Sequence, residues 1–392
     1  MKRITQAKVA VAVAALAFAA CTKNSTTTSG KPKIVAQEIG SQTTLTGGAY
    51  KGTMLAGTSY TIDGDITVLP TDTLTVQPGA TITITNNSAF YVQGIISSVG
   101  TQANPITFTS PLNQPGQWGG FQCDSAKGVT FQWTKINWAG GPDSTGSTRQ
   151  TISVSTPIKV DVEDCWLIGG QDNGIGVYSQ ANVTILRNTI MGEGTTDGEG
   201  IDFHSGVTGT VAYNVIWGGA GSAIKVYTSA TVQIPQTNVE VYNNTCVDNG
   251  FRRGAAEPGR GVLVDAFSAA KVYNNLLVNN YWGLDITTTA DLTNTTYGNN
   301  YFYTTVDSLR TFLYPPGDPG KPQPSDIINL TVTGANDPMF VDYTPPPVPS
   351  LRIVPAAFDF HLKPGSPALG AGNPTYNKDI GAYTTDGQGN KH

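Results

Sequence analysis

Leu186-Arg187-Asn188-Thr189-Ile190, Ala212-Tyr213-Asn214-Val215-Ile216, Tyr242-Asn243-Asn244-Thr245-Cys246-Val247, Tyr273-Asn274-Asn275-Leu276-Leu277-Val278 and Gly298-Asn299-Asn300-Tyr301-Phe302 are five renderings of one phrase. Aligned on the last Asn, they place Asn188, Asn214, Asn244, Asn275 and Asn300 at intervals of 26, 30, 31 and 25 residues. Self-similarity at that period marks a solenoid, in which each repeat buries its apolar face only against its neighbours. Asn suits the tight turn of such a repeat, because it tolerates left-handed backbone and its amide can bond the next Asn along the stack. Thr134 and Asp164 are expected at the same place in the two preceding repeats.

Counting back from each Asn gives a short alternating strand per repeat. These begin at Phe121, Ile152, Ile175, Ile201, Ile224, Val262 and Leu284. Alternation sends the first and third residue of each inward, as an apolar column from Phe121/Cys123 through Ile201/Phe203 to Leu284/Ile286. A slip by one residue would bury Asp202, Lys225 and Asp285 together. Cys123 and Cys246 point inward, several repeats apart, and Cys165 outward, so no disulfide is expected at about 4.8 Å per repeat.

Upstream, Leu74-Thr75-Val76-Gln77-Pro78-Gly79-Ala80-Thr81-Ile82 is followed by Val92-Gln93-Gly94, Asn104-Pro105-Ile106-Thr107-Phe108-Thr109-Ser110 and Trp118-Gly119-Gly120. This order resembles the entry coils of right-handed parallel β-helix proteins of the pectate-lyase-like superfamily from bacterial surfaces. The resemblance implies an all-β chain forming a single right-handed parallel β-helix. It has three strands per coil, with the Asn ladder between the second and third. The expected organisation is a signal peptide over 1–20, a flexible tether over 21–45, the β-helix over 46–304, and Pro-rich excursions with a C-terminal cap over 305–392. The closing stretches Phe358–Gly372 and Asp379–Tyr383 resemble the final segment of β-helix polysaccharide lyases and are expected to cap the last coil.

The first residues carry charge at Lys2, Arg3 and Lys8, then a small apolar run from Val9 to Ala20 that is too short to span a bilayer. Phe18-Ala19-Ala20-Cys21 resembles a bacterial lipobox, which implies export, lipidation at Cys21 and anchoring in the outer membrane or at the cell surface. The chain's 392 residues carry a formal charge of −5, with no basic run beyond the leader, so nucleic acid is not an expected partner. A monomer is expected.

The outward residues of the first strands form two rows. One holds Gln122, Ser153, Gly176, Asp202, Lys225, Leu263 and Asp285; the other holds Asp124, Ser155, Tyr178, His204, Tyr227, Asp265 and Thr287. In pectate-lyase-like β-helices this face is the usual saccharide cleft. Two long loops converge on it here, Gly192–Gly200 with Asp197 and Glu199, and Asp248–Gly261 with Arg252, Arg253, Glu257 and Arg260. The expected partner is extracellular polysaccharide.

Three readings follow. A lyase for uronic-acid chains would use Lys225 as base, Tyr227 or His204 as proton donor, and Arg252, Arg253 or Arg260 to grip the substrate carboxylate. Tyr178, Arg253, Asp265 and Asp285 would line the cleft, and Asp197, Glu199 and Asp202 would hold Ca²⁺. An inverting glycosidase would use Asp202 and Asp265, two coils or roughly 9–10 Å apart. A non-catalytic glycan binder or adhesin-like scaffold would use the same aromatics passively. In that last case Asp202 and Lys225 are an ordinary cross-strand pair worth under about 1 kcal/mol.

Overall fold

A computed structural model of the chain describes residues 34–192, 194, 197–229, 235–253, 257–345 and 358–392. The leader and Cys21 lie outside the described residues. From Ala36 onward, short strands stack in parallel, coil upon coil. The third strands form an 11-stranded sheet from Thr44–Leu45 to Tyr301–Tyr303, and the first and second strands run in one 20-stranded array. The first coil starts earlier than the expected tether allows. Gln37 pairs with Tyr50, and Ile39 and Leu45 are fully buried, so these two apolar residues draw the stretch before residue 46 into the core.

The first strands keep the register that alternation predicts: Phe121, Ile152, Ile175, Ile201, Ile224, Val262 and Leu284 pair in succession. Every inward residue of this column is buried. Each coil thus contributes a pair of apolar side chains, and the stack forms one continuous core.

The ladder runs through five fully buried Asn side chains. Each Oδ1 accepts the backbone N–H of the residue one coil earlier, as from Asn188 to Asn214 at 2.9 Å and from Asn244 to Asn275 at 3.0 Å. One correction concerns the preceding coils. Cys165, not Asp164, occupies the ladder position, and its N–H donates to Asn188 Oδ1 at 2.9 Å. Cys165 is accordingly fully buried rather than outward, and it is a free thiol, like Cys123 and Cys246. The left-handed residue is the one before the ladder: Trp133, Asp164, Arg187, Tyr213, Asn243, Asn274 and Asn299 all have φ between 47° and 59°. The ladder Asn therefore earns its place by amide stacking, not by backbone conformation. A second, unpredicted ladder turns the corner after the third strands, where Gly219 N–H donates to Asn249 Oδ1 and Asn249 N–H to Asn280 Oδ1.

The closing segment does not cap the last coil. It runs back along the outside of the third sheet, where Phe340, Phe360, Ala368, Ile380 and Ala382 cover Val215, Val247, Leu276, Val278, Tyr301 and Tyr303. The cause is compositional: in these coils the third strands are apolar on both faces, so the outer face needs a cover. Gly381 N–H donates to Asn274 O, and His392 stacks on Trp166 with ring centroids 3.8 Å apart. The end of the stack is covered instead by the stretch just after it. Leu284 N–H donates to Leu313 O, Phe302 N–H to Ile327 O, and Asp326 terminates the ladder by accepting Asn300 N–H at 2.9 Å.

Candidate functional site

The first-strand face carries three rows of side chains rather than two. Two positions before each first inward residue stand Gln150, Asn173, Glu199, Ser222, Arg260 and Trp282. Their backbones interlock along the corner: Thr151 N–H bonds Asn173 O, Gly174 N–H bonds Glu199 O, Gly200 N–H bonds Ser222 O and Ala223 N–H bonds Arg260 O. Strand alternation alone hides this row, because the chain turns there. Counting back two residues from each member of the apolar column would have found it.

Asp202 is the centre of the face. It is 3% exposed and receives Asn173 Nδ2 at 3.1 Å, Tyr178 OH at 3.4 Å and His204 Nε2 at 3.0 Å, all on Oδ2. Lys225 Nζ stands 3.7 Å from its Oδ1 and 3.9 Å from Glu199 Oε1. Glu199, equally buried, pairs with Arg253, which also holds Asp197 at 2.7 Å and Glu257 at 3.5 Å. Gly221 makes that pairing possible, since a Cβ there would stand 3.0 Å from both the guanidinium and the carboxyl group. Behind Tyr178, its hydroxyl also receives Asn173 Nδ2 at 3.0 Å and the amide of Gln150.

Above this network three rings stack at the coil spacing. Tyr178 and His204 have centroids 4.8 Å apart, and His204 and Tyr227 4.9 Å apart. Lys225 Nζ sits 5.5 Å from the Tyr227 ring. All three rings are part-exposed, so the face offers a short aromatic stripe over a rigid charged floor.

The floor's electrostatics follow from burial and pairing. Burial and the neighbouring Asp202 charge push Glu199 up to about 7, against the pull of Lys225 and Arg253. For Asp202 burial works upward too, but the His204 hydrogen bond and the Lys225 charge outweigh it and hold the carboxyl below its usual range. Burial would lower Lys225, yet Asp202 and Glu199 together hold it above its ordinary value. Lys225 is therefore a committed cation and is unsuited to the role of base expected for it. The Asp202–Lys225 pair is also no surface pair, since both groups are largely out of water.

A pH dependence follows. Unfolded, Glu199 and Asp248 titrate near pH ~4. Folded, burial holds both up to about 7, with Tyr343 opposing the shift at Asp248. The folded chain then keeps protons that the unfolded chain has lost, so stability falls as pH rises through 7. His392, lowered to about 4 by burial, acts in the opposite sense, but only below its unfolded value near ~6.5. Chemical denaturation is expected to show a loss of roughly 1–2 kcal/mol between pH 6.5 and 8. A gain over that interval would contradict the assignment.

The other expected residues are placed differently. Arg252 points away from substrate space: its guanidinium donates to Gly194 O at 2.8 Å and Gly218 O at 2.7 Å, stapling one entering loop to the other. Arg260 pairs with fully buried Asp285 at 2.9 Å and lies 4.6 Å from the Trp282 ring. Burial pushes Asp285 up to about 6, against Arg260. Asp265 stands apart from the cluster, accepting Thr287 Oγ1 at 2.6 Å and Thr289 Oγ1 at 2.8 Å. Against the upward effect of burial, these bonds hold it below its usual range. Asp202 and Asp265 are thus both held below the usual carboxyl range, whereas an inverting pair needs one carboxyl raised to serve as the acid.

The expected Ca²⁺ ligands do not fit a metal. Asp197 and Glu199 face Arg253, and Asp202 faces Lys225 and His204. No group of three or more His, Cys, Asp or Glu side chains suited to a metal ion occurs among the described residues.

Sequence comparison agrees with this architecture. A family model described as a right handed beta helix region matches residues 119–302, and one described as a pectate-lyase like beta helix domain matches residues 47–128. The sequence finds no match among curated proteins or among solved structures. The two family matches overlap at residues 119–128 and together cover residues 47–302, nearly all of the stacked strands, and the chain is a right-handed parallel β-helix protein.

Proposed function

We propose that the first-strand face binds extracellular polysaccharide, with Tyr178, His204 and Tyr227 as its platform. Domains of this pectate-lyase-like type go with carbohydrate-related or structural roles. The observation that carries the binding reading is the ring stripe at 4.8–4.9 Å spacing over a floor whose charges are already paired. Part-exposed amphipathic rings pack on sugar faces at little entropic cost, and a fixed floor spares the ordering penalty on binding. Tyr227→Ala is expected to weaken glycan affinity roughly 3- to 10-fold. Lys271→Ala, on the second strand of its coil (Ala269–Tyr273), is expected to leave it unchanged. Equal affinities for both variants in affinity electrophoresis would overturn the reading.

One observation favours a second reading, cleavage on the same face: the Asp202 carboxylate lies 3.0 Å behind His204 Nε2, which orients an imidazole as a proton carrier. In that reading His204 is the base and Tyr227 the donor of a β-elimination, read out by ultraviolet absorbance of the unsaturated product. It requires a cation for the uronate, and Lys225, Arg253 and Arg260 are each bound to carboxylates. Activity surviving His204→Ala would sink it.

The cellular setting proposed for this face is that of an exported lipoprotein held through Cys21, supported by the leader and the lipobox-like Phe18–Cys21. Incorporation of labelled fatty acid in the wild type and its retention in Cys21→Ser would contradict that.

A further inference from the structure

The stripe is one part of a longer track. On the same face, three coils before Asp202, a cleft of about 540 Å³ is lined by Asp65, Tyr91, Gln122, Asp124, Asp143, Ser144 and Arg149. Tyr91 and Gln122 are cross-strand neighbours, so the cleft continues the outward row that leads through Ser153 and Gly176 to Asp202 and Lys225. Four coil steps separate Gln122 from Lys225, roughly 19 Å at about 4.8 Å each.

The cations of this track are consistently spent. Arg149 donates to Pro142 O at 2.8 Å, to Gly141 O at 3.2 Å and to Tyr91 OH at 3.3 Å, and it shares its cleft with three Asp residues. In the middle, Lys225 and Arg253 stand against Asp197, Glu199, Asp202 and Glu257. Arg260 is matched by Asp285, and Arg252 by backbone carbonyls. A polyanionic chain laid here would meet excess negative charge at both the cleft and the centre. It would also have to break a buried ion pair to free Lys225, Arg253 or Arg260, and that is costly.

Building on the glycan-binding reading, we propose that the ligand of this face is a polysaccharide without carboxylates or sulfates, a neutral or amino-sugar chain lying along the track from the Tyr91 cleft to Tyr227. Its hydroxyls find carboxylate acceptors at Asp65, Asp124 and Asp143, and its ring faces find the aromatic stripe. This sets the chain apart from uronate-directed members of the same architecture by charge alone.

The test is a glycan array of neutral, amino and acidic polysaccharides, followed by affinity measurement on polygalacturonate and on the strongest neutral or amino binder, at low and high salt. The expected result is a preference of at least about 10-fold for the neutral or amino glycan, with Asp124→Asn/Asp143→Asn narrowing the gap. Tighter binding of polygalacturonate, weakening with salt, would overturn this proposal while leaving the glycan reading intact. Binding to nothing on the array, or binding indifferent to Tyr227→Ala, would remove the glycan reading and this proposal with it.

Discussion

Asn244→Ala is expected to cost roughly 3–6 kcal/mol of folding free energy, because one buried amide serves five partners. Its Oδ1 accepts Asn214 N–H at 3.1 Å and Asn214 Nδ2 at 2.9 Å. Its Nδ2 donates to Val211 O at 3.0 Å, Tyr242 O at 3.1 Å and Asn275 Oδ1 at 3.0 Å. Truncation leaves the Asn214 backbone N–H without its partner and takes one bond each from Asn214 Nδ2 and Asn275 Oδ1, in a turn that Asn214, Asn244 and Asn275 keep fully buried. Each such orphan costs about 1–3 kcal/mol, and the lost side-chain volume adds a cavity. Urea denaturation measures it through the midpoint at unchanged slope. A loss below about 1 kcal/mol would mean that the ladder is decoration, and the register built on it would lose its anchor.

Lys225→Met is expected to destabilise the chain by about 3–5 kcal/mol, since it leaves buried Asp202 without its cation and Glu199 dependent on Arg253 alone. The penalty is that of an uncompensated charge, so it should shrink when the charge is removed as well. Adding Asp202→Asn to Lys225→Met is expected to restore much of the loss, and a double-mutant cycle reads the coupling directly. Strict additivity of the two changes would contradict the paired floor. The sequence undervalued this pair by treating it as solvated. The alternation that puts both residues outward says nothing about the loops that later cover them.

How far the sequence could be read is clear from particular residues. The ladder and the first-strand register were legible because both rest on strict periodicity: Asn188, Asn214 and Asn244 recur, and Ile175, Ile201 and Ile224 pair as alternation demands. Cys165 was misplaced by one residue because the coil before Asn188 lacks an Asn to anchor the alignment. The lateral path of the tail was legible in principle. Leu276-Leu277-Val278 and Tyr301-Phe302-Tyr303 have no polar residue to face water, so something had to cover them. Glu199 and Asn173 were harder to place, since they sit at a corner where the chain leaves the strand and period two no longer applies.

The site shows the same division. Asp202, His204, Lys225, Tyr178 and Tyr227 came together as neighbours on adjacent coils, because sheet pairing fixes them. The arginines did not follow, because Arg252 and Arg253 lie in a loop and Arg260 at the very start of a strand, where local geometry chooses the partner. Arg252 went to carbonyls, Arg253 to three carboxylates and Arg260 to Asp285. That redistribution turns a cleft expected to grip carboxylates into one whose Arg253 and Arg260 are already held by carboxylates of the chain itself.

The most direct measurement is a diffraction experiment on crystals soaked with the oligosaccharide that binds most tightly in solution. Sugar rings lying over Tyr178, His204 and Tyr227, with the chain extending toward Tyr91, are the predicted result. Sugar bound on another sheet, with this face bare, would contradict the account.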